Sequence, residues 1–112
     1  MTTSHSSIEI IARHVELSKD DRELAQLRCE RIMDRFNGIV QSVTIRIEDI
    51  NGPRGGVDKR CALIARLADG HIINAQRTAI HCGQAIGKSL DILRSKLRRS
   101  YGSRKAGHIM AA

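Results

Sequence analysis

The stretch from Arg60 to Thr78 constrains this chain more than any other. Cys61, Leu63, Ala65 and Leu67 alternate with Arg60, Ala62, Ile64 and Arg66, and Asp69-Gly70 follows directly. Strict alternation of this length is the period of a strand with one face in a core and the other outside it. The Asp-Gly pair is what a tight hairpin selects, because both central positions of its turn take positive φ. Ile72 to Thr78 is the returning strand. The chain therefore contains an antiparallel sheet.

Further elements can be read outward from this hairpin. Val43, Ile45 and Ile47 alternate with Thr44, Arg46 and Glu48 as another half-buried strand. The β-branched run Ile8 to Ala12 reads as a first strand. Ser18 stands three residues before Asp21 at capping-box spacing, with an acidic first turn from Asp20 to Glu23. Ala25, Cys29, Ile32, Met33 and Phe36 then recur at helical spacing until Gly38, a natural stop. A second helix carries Ile86, Leu90, Leu93 and Leu97, with Tyr101 one turn on and Gly102 at its end. The order is β-α-β-β-β-α, an α+β fold. Both apolar stripes are buried most simply if the two helices pack on one face of a four-stranded sheet. The expected organisation is a flexible N-terminus over 1–7, one domain over 8–101 and a basic, flexible tail over 102–112. Asn51-Gly52-Pro53-Arg54-Gly55-Gly56 reads as a flexible loop.

With 112 residues, 41% of them hydrophobic, the chain is long enough for one modest core. Its longest uncharged apolar run, Cys61 to Ala65, is far short of a membrane span. The start, Met1 to Ser7, has neither the basic nor the apolar part of a signal peptide. Three cysteines at positions 29, 61 and 82 suggest free thiols in a reducing cytoplasm rather than a disulfide framework.

The formal net charge is +7, and +6 of it lies beyond Gly87: Lys88, Arg94, Lys96, Arg98, Arg99, Arg104 and Lys105 face Asp91 alone. Such a concentration attracts a polyanion, nucleic acid first and anionic membrane second, beyond what a solvated helix face requires. On a wheel anchored at Ile86, Lys88 and Arg99 lie opposite the apolar stripe, Arg94 and Arg98 on one flank, and Lys96 on the other. In the first helix Arg28, Arg31 and Arg35 form a stripe of their own, for which Glu30 and Asp34 are the alternative partners.

Chemistry of other kinds is not supported. Gly83-Gln84-Ala85-Ile86-Gly87-Lys88-Ser89 has three residues between its glycines where a phosphate-binding loop needs four, and Ile86 is already in helical phase with Leu90. His5, His14, His71, His81 and His108 are scattered, and no Cys or His pair has structural-zinc spacing. No nucleophile, base and orienting group can be assembled, so neither an enzyme nor a metal, cofactor or small-molecule substrate is expected. Phe36 and Tyr101 are the only aromatics, which leaves the sheet without a stacking platform for single-stranded RNA. Recognition of structured RNA through its backbone is the mode that remains.

The element order, the stretch Asn51-Gly-Pro-Arg-Gly-Gly-Val-Asp-Lys-Arg-Cys61 and the pattern Ala85-Ile86, Asp91, Leu93, Leu97-Arg98 resemble the hibernation promoting factor / ribosome-associated inhibitor family. Its members are also described as sigma-54 modulation or S30AE ribosomal proteins. The resemblance runs from Ile8 to Tyr101. It implies a monomer that binds the 30S subunit or 70S ribosome in the mRNA and tRNA channel and silences idle ribosomes under stress. By position, it implies 16S rRNA contacts for Lys88, Arg94, Lys96, Arg98 and Arg99, and for Arg28, Arg31 and Arg35. Members commonly enter the second helix on Asp-x-Tyr-x-Ala-Ile, where this chain has His81 and Gly83 at the acidic and aromatic positions. A general structured-RNA module and a protein-interaction regulator of the sigma-modulation kind are the competing readings.

Overall fold

The computed structural model describes residues 7–51 and 57–102. Most of the glycine-rich loop, the basic tail with Arg104 and Lys105, and His5 and His108 lie outside those residues. The elements run β1 (Ile8–Arg13), α1 (Lys19–Arg35), β2 (Val40–Asp49), β3 (Lys59–Leu67), β4 (Ile72–Ala79) and α2 (Cys82–Leu97), closed by one π-helical turn, Arg98–Gly102. This is the α+β order that the periodicities indicate.

Local chemistry sets the boundaries. The left-handed backbone of His14, at φ 57°, ends β1. Ser18 caps α1, its Oγ accepting the Asp21 N–H at 3.0 Å, which satisfies one of the donors a helix start leaves open. Phe36 closes that helix, and Gly38 at φ 84° lets the chain turn into β2.

The sheet is mixed, in the order β1-β2-β3-β4. β1 runs parallel to β2 with Ile8 opposite Val43, a pairing that needs a crossover, and α1 supplies it. β2, β3 and β4 are antiparallel, with Ile45 opposite Leu63 and Leu63 opposite Ala75. The hairpin differs from the tight two-residue form expected of Asp69-Gly70. Leu67 pairs with His71, so the loop has Ala68, Asp69 and Gly70; the Gly70 N–H bonds the Leu67 carbonyl at 3.0 Å. Ala68 and Asp69 are thus the central residues, and Gly70 alone takes positive φ, at 93°. This is a normal turn followed by a left-handed glycine, which restores strand twist as the two-residue form does.

One core lies between helices and sheet. Cys29 and Ile32 of α1, its C-cap Phe36, and Ile86, Leu90, Leu93 and Leu97 of α2 are buried against Val43, Ile45, Ile47, Cys61 and Leu63. Each buried aliphatic of this size contributes about 1.5–3 kcal/mol of transfer free energy. α2 packs on β3 and β4, where Ala75 and Ala79 leave room for it. The buried Ser89 hydroxyl donates to the Cys61 carbonyl at 3.1 Å, fixing the height of α2 over β3. Among the described residues no helix covers the other sheet face.

Candidate nucleic-acid interface

The amphipathicity of α2 places its cations. Because Ile86, Leu90, Leu93 and Leu97 must face the sheet, Lys88, Arg94 and Lys96 are left exposed, as are Arg98 and Arg99 in the π turn. The two flanks have different neighbours. Arg94 faces α1; Lys96 reaches the other way, its Nζ donating to the Asn74 carbonyl on edge strand β4 at 2.7 Å. A lysine on an open edge blocks strand addition there.

Between the helices runs a groove of about 270 Å3 lined by Arg28, Arg31, Ile32, Arg35 and Arg94. Four guanidiniums around one aliphatic floor form a locally strong positive field. Arg28 is also a structural staple. Its NH2 meets Asp91 Oδ1 at 2.7 Å and its NH1 reaches the Gly87 carbonyl at 3.5 Å. A Cβ at Gly87 would lie 3.3 Å from that NH1, so the glycine of the rejected phosphate-loop pattern serves helix packing. The partner of Arg28 is therefore Asp91 on the other helix, not Glu30 or Asp34 on its own. Asp91 also lies 4.0 Å from Arg94 NH2, so the single carboxylate of α2 stands between cations of both helices. Arg31 makes no ion pair among the described residues.

A second groove, of about 400 Å3, lies between α2 and β4 and is lined by Arg77, Thr78, Lys88, Asp91 and Ile92. Arg77 has no signature in the sequence reading, since only the packing of α2 on β4 brings it beside Lys88. The eight positions marked in the sequence thus divide among the interhelical groove (Arg28, Arg31, Arg35, Arg94), the β4 side (Lys88, Lys96) and the end of α2 (Arg98, Arg99).

That end is tied to the hairpin. Tyr101 donates its hydroxyl to Asp69 Oδ2 at 3.3 Å, and His71 Nδ1 lies 3.0 Å from the same oxygen. The Asp69 carboxyl is held below its ordinary range, chiefly by the backbone N–H of His71, then by the His71 ring. At the opposite end, α2 starts without a side-chain cap at His81, but Asp21 of α1 stands there: a Cβ at Gly83 would be 2.8 Å from Asp21 Oδ1. A carboxylate at a helix N-terminus complements its dipole.

The thiols offer no reactive centre. Burial raises Cys29 to about 12 and Cys61 to about 11, and raises Cys82 as well, so all three remain neutral thiols. Among the described residues no group of three His, Cys, Asp or Glu could hold a metal, and no helix is long and apolar enough to cross a membrane.

Comparison with known proteins returns a family model, sigma 54 modulation protein / S30EA ribosomal protein, over residues 8–105. A ribosomal subunit interface protein from Coxiella burnetii is similar in fold, with a TM-score of 0.70 at 19% identity over 85% of this chain and 97% of that one. The N-terminal domain of Thermus thermophilus Protein Y gives a TM-score of 0.65 at 16% identity, over 81% and 93% of the two chains. No curated protein matches the sequence.

Proposed function

The chain belongs to the sigma-54 modulation protein / S30EA ribosomal protein family, and from that premise we propose that it is a translation inhibitor that binds the small ribosomal subunit and silences idle ribosomes. The arginine-lined groove between α1 and α2 carries this reading: Arg28, Arg31, Arg35 and Arg94 meet around Ile32, and Arg98 and Arg99 follow at the end of α2. Guanidinium forks suit the phosphates of folded 16S rRNA, and no aromatic side chain lines the interhelical groove to stack a base. Contacts of this kind fix position on a structured RNA and read little sequence. In the mRNA and tRNA channel they would block both ligands by occupancy alone, with no catalytic step. Such a factor acts in the cytoplasm, under conditions in which ribosomes stand idle.

The test is co-sedimentation with 30S and 70S particles and inhibition of translation in vitro. Changing Arg94, Arg98 and Arg99 together to Glu should leave the fold intact, because all three are exposed, and abolish both activities. A folded triple variant that still binds 30S subunits would overturn the reading. Association with a protein partner that survives nuclease, without ribosomes, would favour the sigma-modulation alternative.

A further inference from the structure

The helices cover one face of the sheet, and the other face carries a second cationic surface. Strand alternation puts Arg13 of β1, Arg46 of β2 and Arg60 and Arg66 of β3 on this bare side. Arg60 is engaged, its NH2 lying 3.3 Å from Glu48 Oε2. Arg13, Arg46 and Arg66 are exposed and make no ion pair among the described residues. Arg46 lies opposite Ala62 and Arg66 opposite Ser42, whereas Arg13 lies opposite Glu48. Strand spacing and rise then separate the three Cα atoms by roughly 8 to 22 Å. No small anion spans that distance, but a polymeric one does.

We propose that this bare sheet face, through Arg13, Arg46 and Arg66, is a second RNA-contacting surface that grips a backbone segment other than the one held by the helices. The inference rests on the ribosomal reading above and extends it to a part of the molecule that reading leaves idle. Charge complementarity selects the occupant. Among the described residues the cations of this face are all arginine, whose planar fork matches phosphate. The carboxylate among them, Glu48, is spent on Arg60, and Glu9 lies toward the other end of β1. The ground around them is Ile11, Thr44, Ala62, Ile64, Asn74 and Gln76, with the exposed Ile72 opposite Arg66, and it has no aromatic anchor of the kind that centres a protein interface. Both broad faces of the molecule would then bear RNA, and the domain would act as a spacer between two segments of a folded polyanion.

The experiment measures binding of purified 30S subunits against KCl concentration. In the Arg46→Glu/Arg66→Glu variant the log–log salt slope should shrink by about 1.4–1.8, the value for two lost phosphate contacts, with at least about a tenfold loss of affinity near 0.1 M salt. Arg46→Lys/Arg66→Lys should retain the slope, and thermal melting should match the unsubstituted chain for both. A photo-crosslinking amino acid at Gln76 should give a 30S adduct that nuclease, not protease, removes. An unchanged slope in the Glu pair, or a crosslink to ribosomal protein alone, overturns the inference. Failure of the unsubstituted chain to bind 30S subunits at all would instead overturn the ribosomal reading, and this surface with it.

Discussion

Gly70 shows how one residue can be chosen for the right reason in the wrong place. The sequence marks Asp69-Gly70 as the middle of a turn, yet the middle is Ala68-Asp69 and the glycine closes it at φ 93°. Its requirement for a missing side chain is unaffected by that shift. A Cβ there would meet nothing within 4 Å, so the cost of replacement is backbone strain alone. Gly70→Val should lose about 1–3 kcal/mol, read as a lower midpoint in thermal or denaturant unfolding. An unchanged midpoint would contradict the left-handed assignment. Gly83 and Gly87 are different cases: each leaves room for a side chain from α1, Asp21 and Arg28 respectively, and neither has positive φ. Their reason lies in the packing of two helices, which no local pattern announces.

At the scale of elements, two contacts decide how α2 is presented. Asp69 joins the hairpin to the π turn through Tyr101, and its carboxyl is held below the usual 3.8. A folded-state pKa below the unfolded one gives stability that is present above the unfolded value and lost as pH falls through the folded value. Asp69→Asn should therefore melt lower than the unsubstituted protein at neutral pH, with the difference closing as pH drops below about 4. A difference that stays constant into acid would remove the carboxylate from the account. The second contact is Asp91, more than half exposed, between Arg28 and Arg94. Exposed pairs of this kind contribute about 0–1 kcal/mol, so Asp91→Ala should change stability little. It should also tighten 30S binding and steepen its salt dependence, because the carboxylate between Arg28 and Arg94 is gone. Weaker binding by a folded Asp91→Ala variant would instead make the staple, not the field, the important property. Neither contact could be read in advance. Arg28 and Asp91 lie 63 residues apart, and adjacent carboxylates on α1 are equally plausible partners in sequence.

For the whole molecule, the salt dependence of 30S binding is the most direct readout. Five helix-borne phosphate contacts give a slope of about −3.5 to −4.5, and a productive sheet face adds to it. Binding should persist in chelator and in reductant, since the thiols are buried and neutral; loss of 30S sedimentation in either would contradict that. The sequence by itself determined the element order, the inward residues of β2 and β3, the apolar stripes of both helices and the cationic character of α2. Each of these follows from a period of two or 3.6 and from one-dimensional charge, properties that survive without a partner. Only the tertiary structure decided that β1 runs parallel to β2, that Arg94 turns toward three arginines of α1 while Lys96 turns toward β4, and that Arg13, Arg46 and Arg66 share an uncovered face. Those outcomes depend on register and on how layers stack, and long-range pairing leaves no periodic trace in the residues that meet.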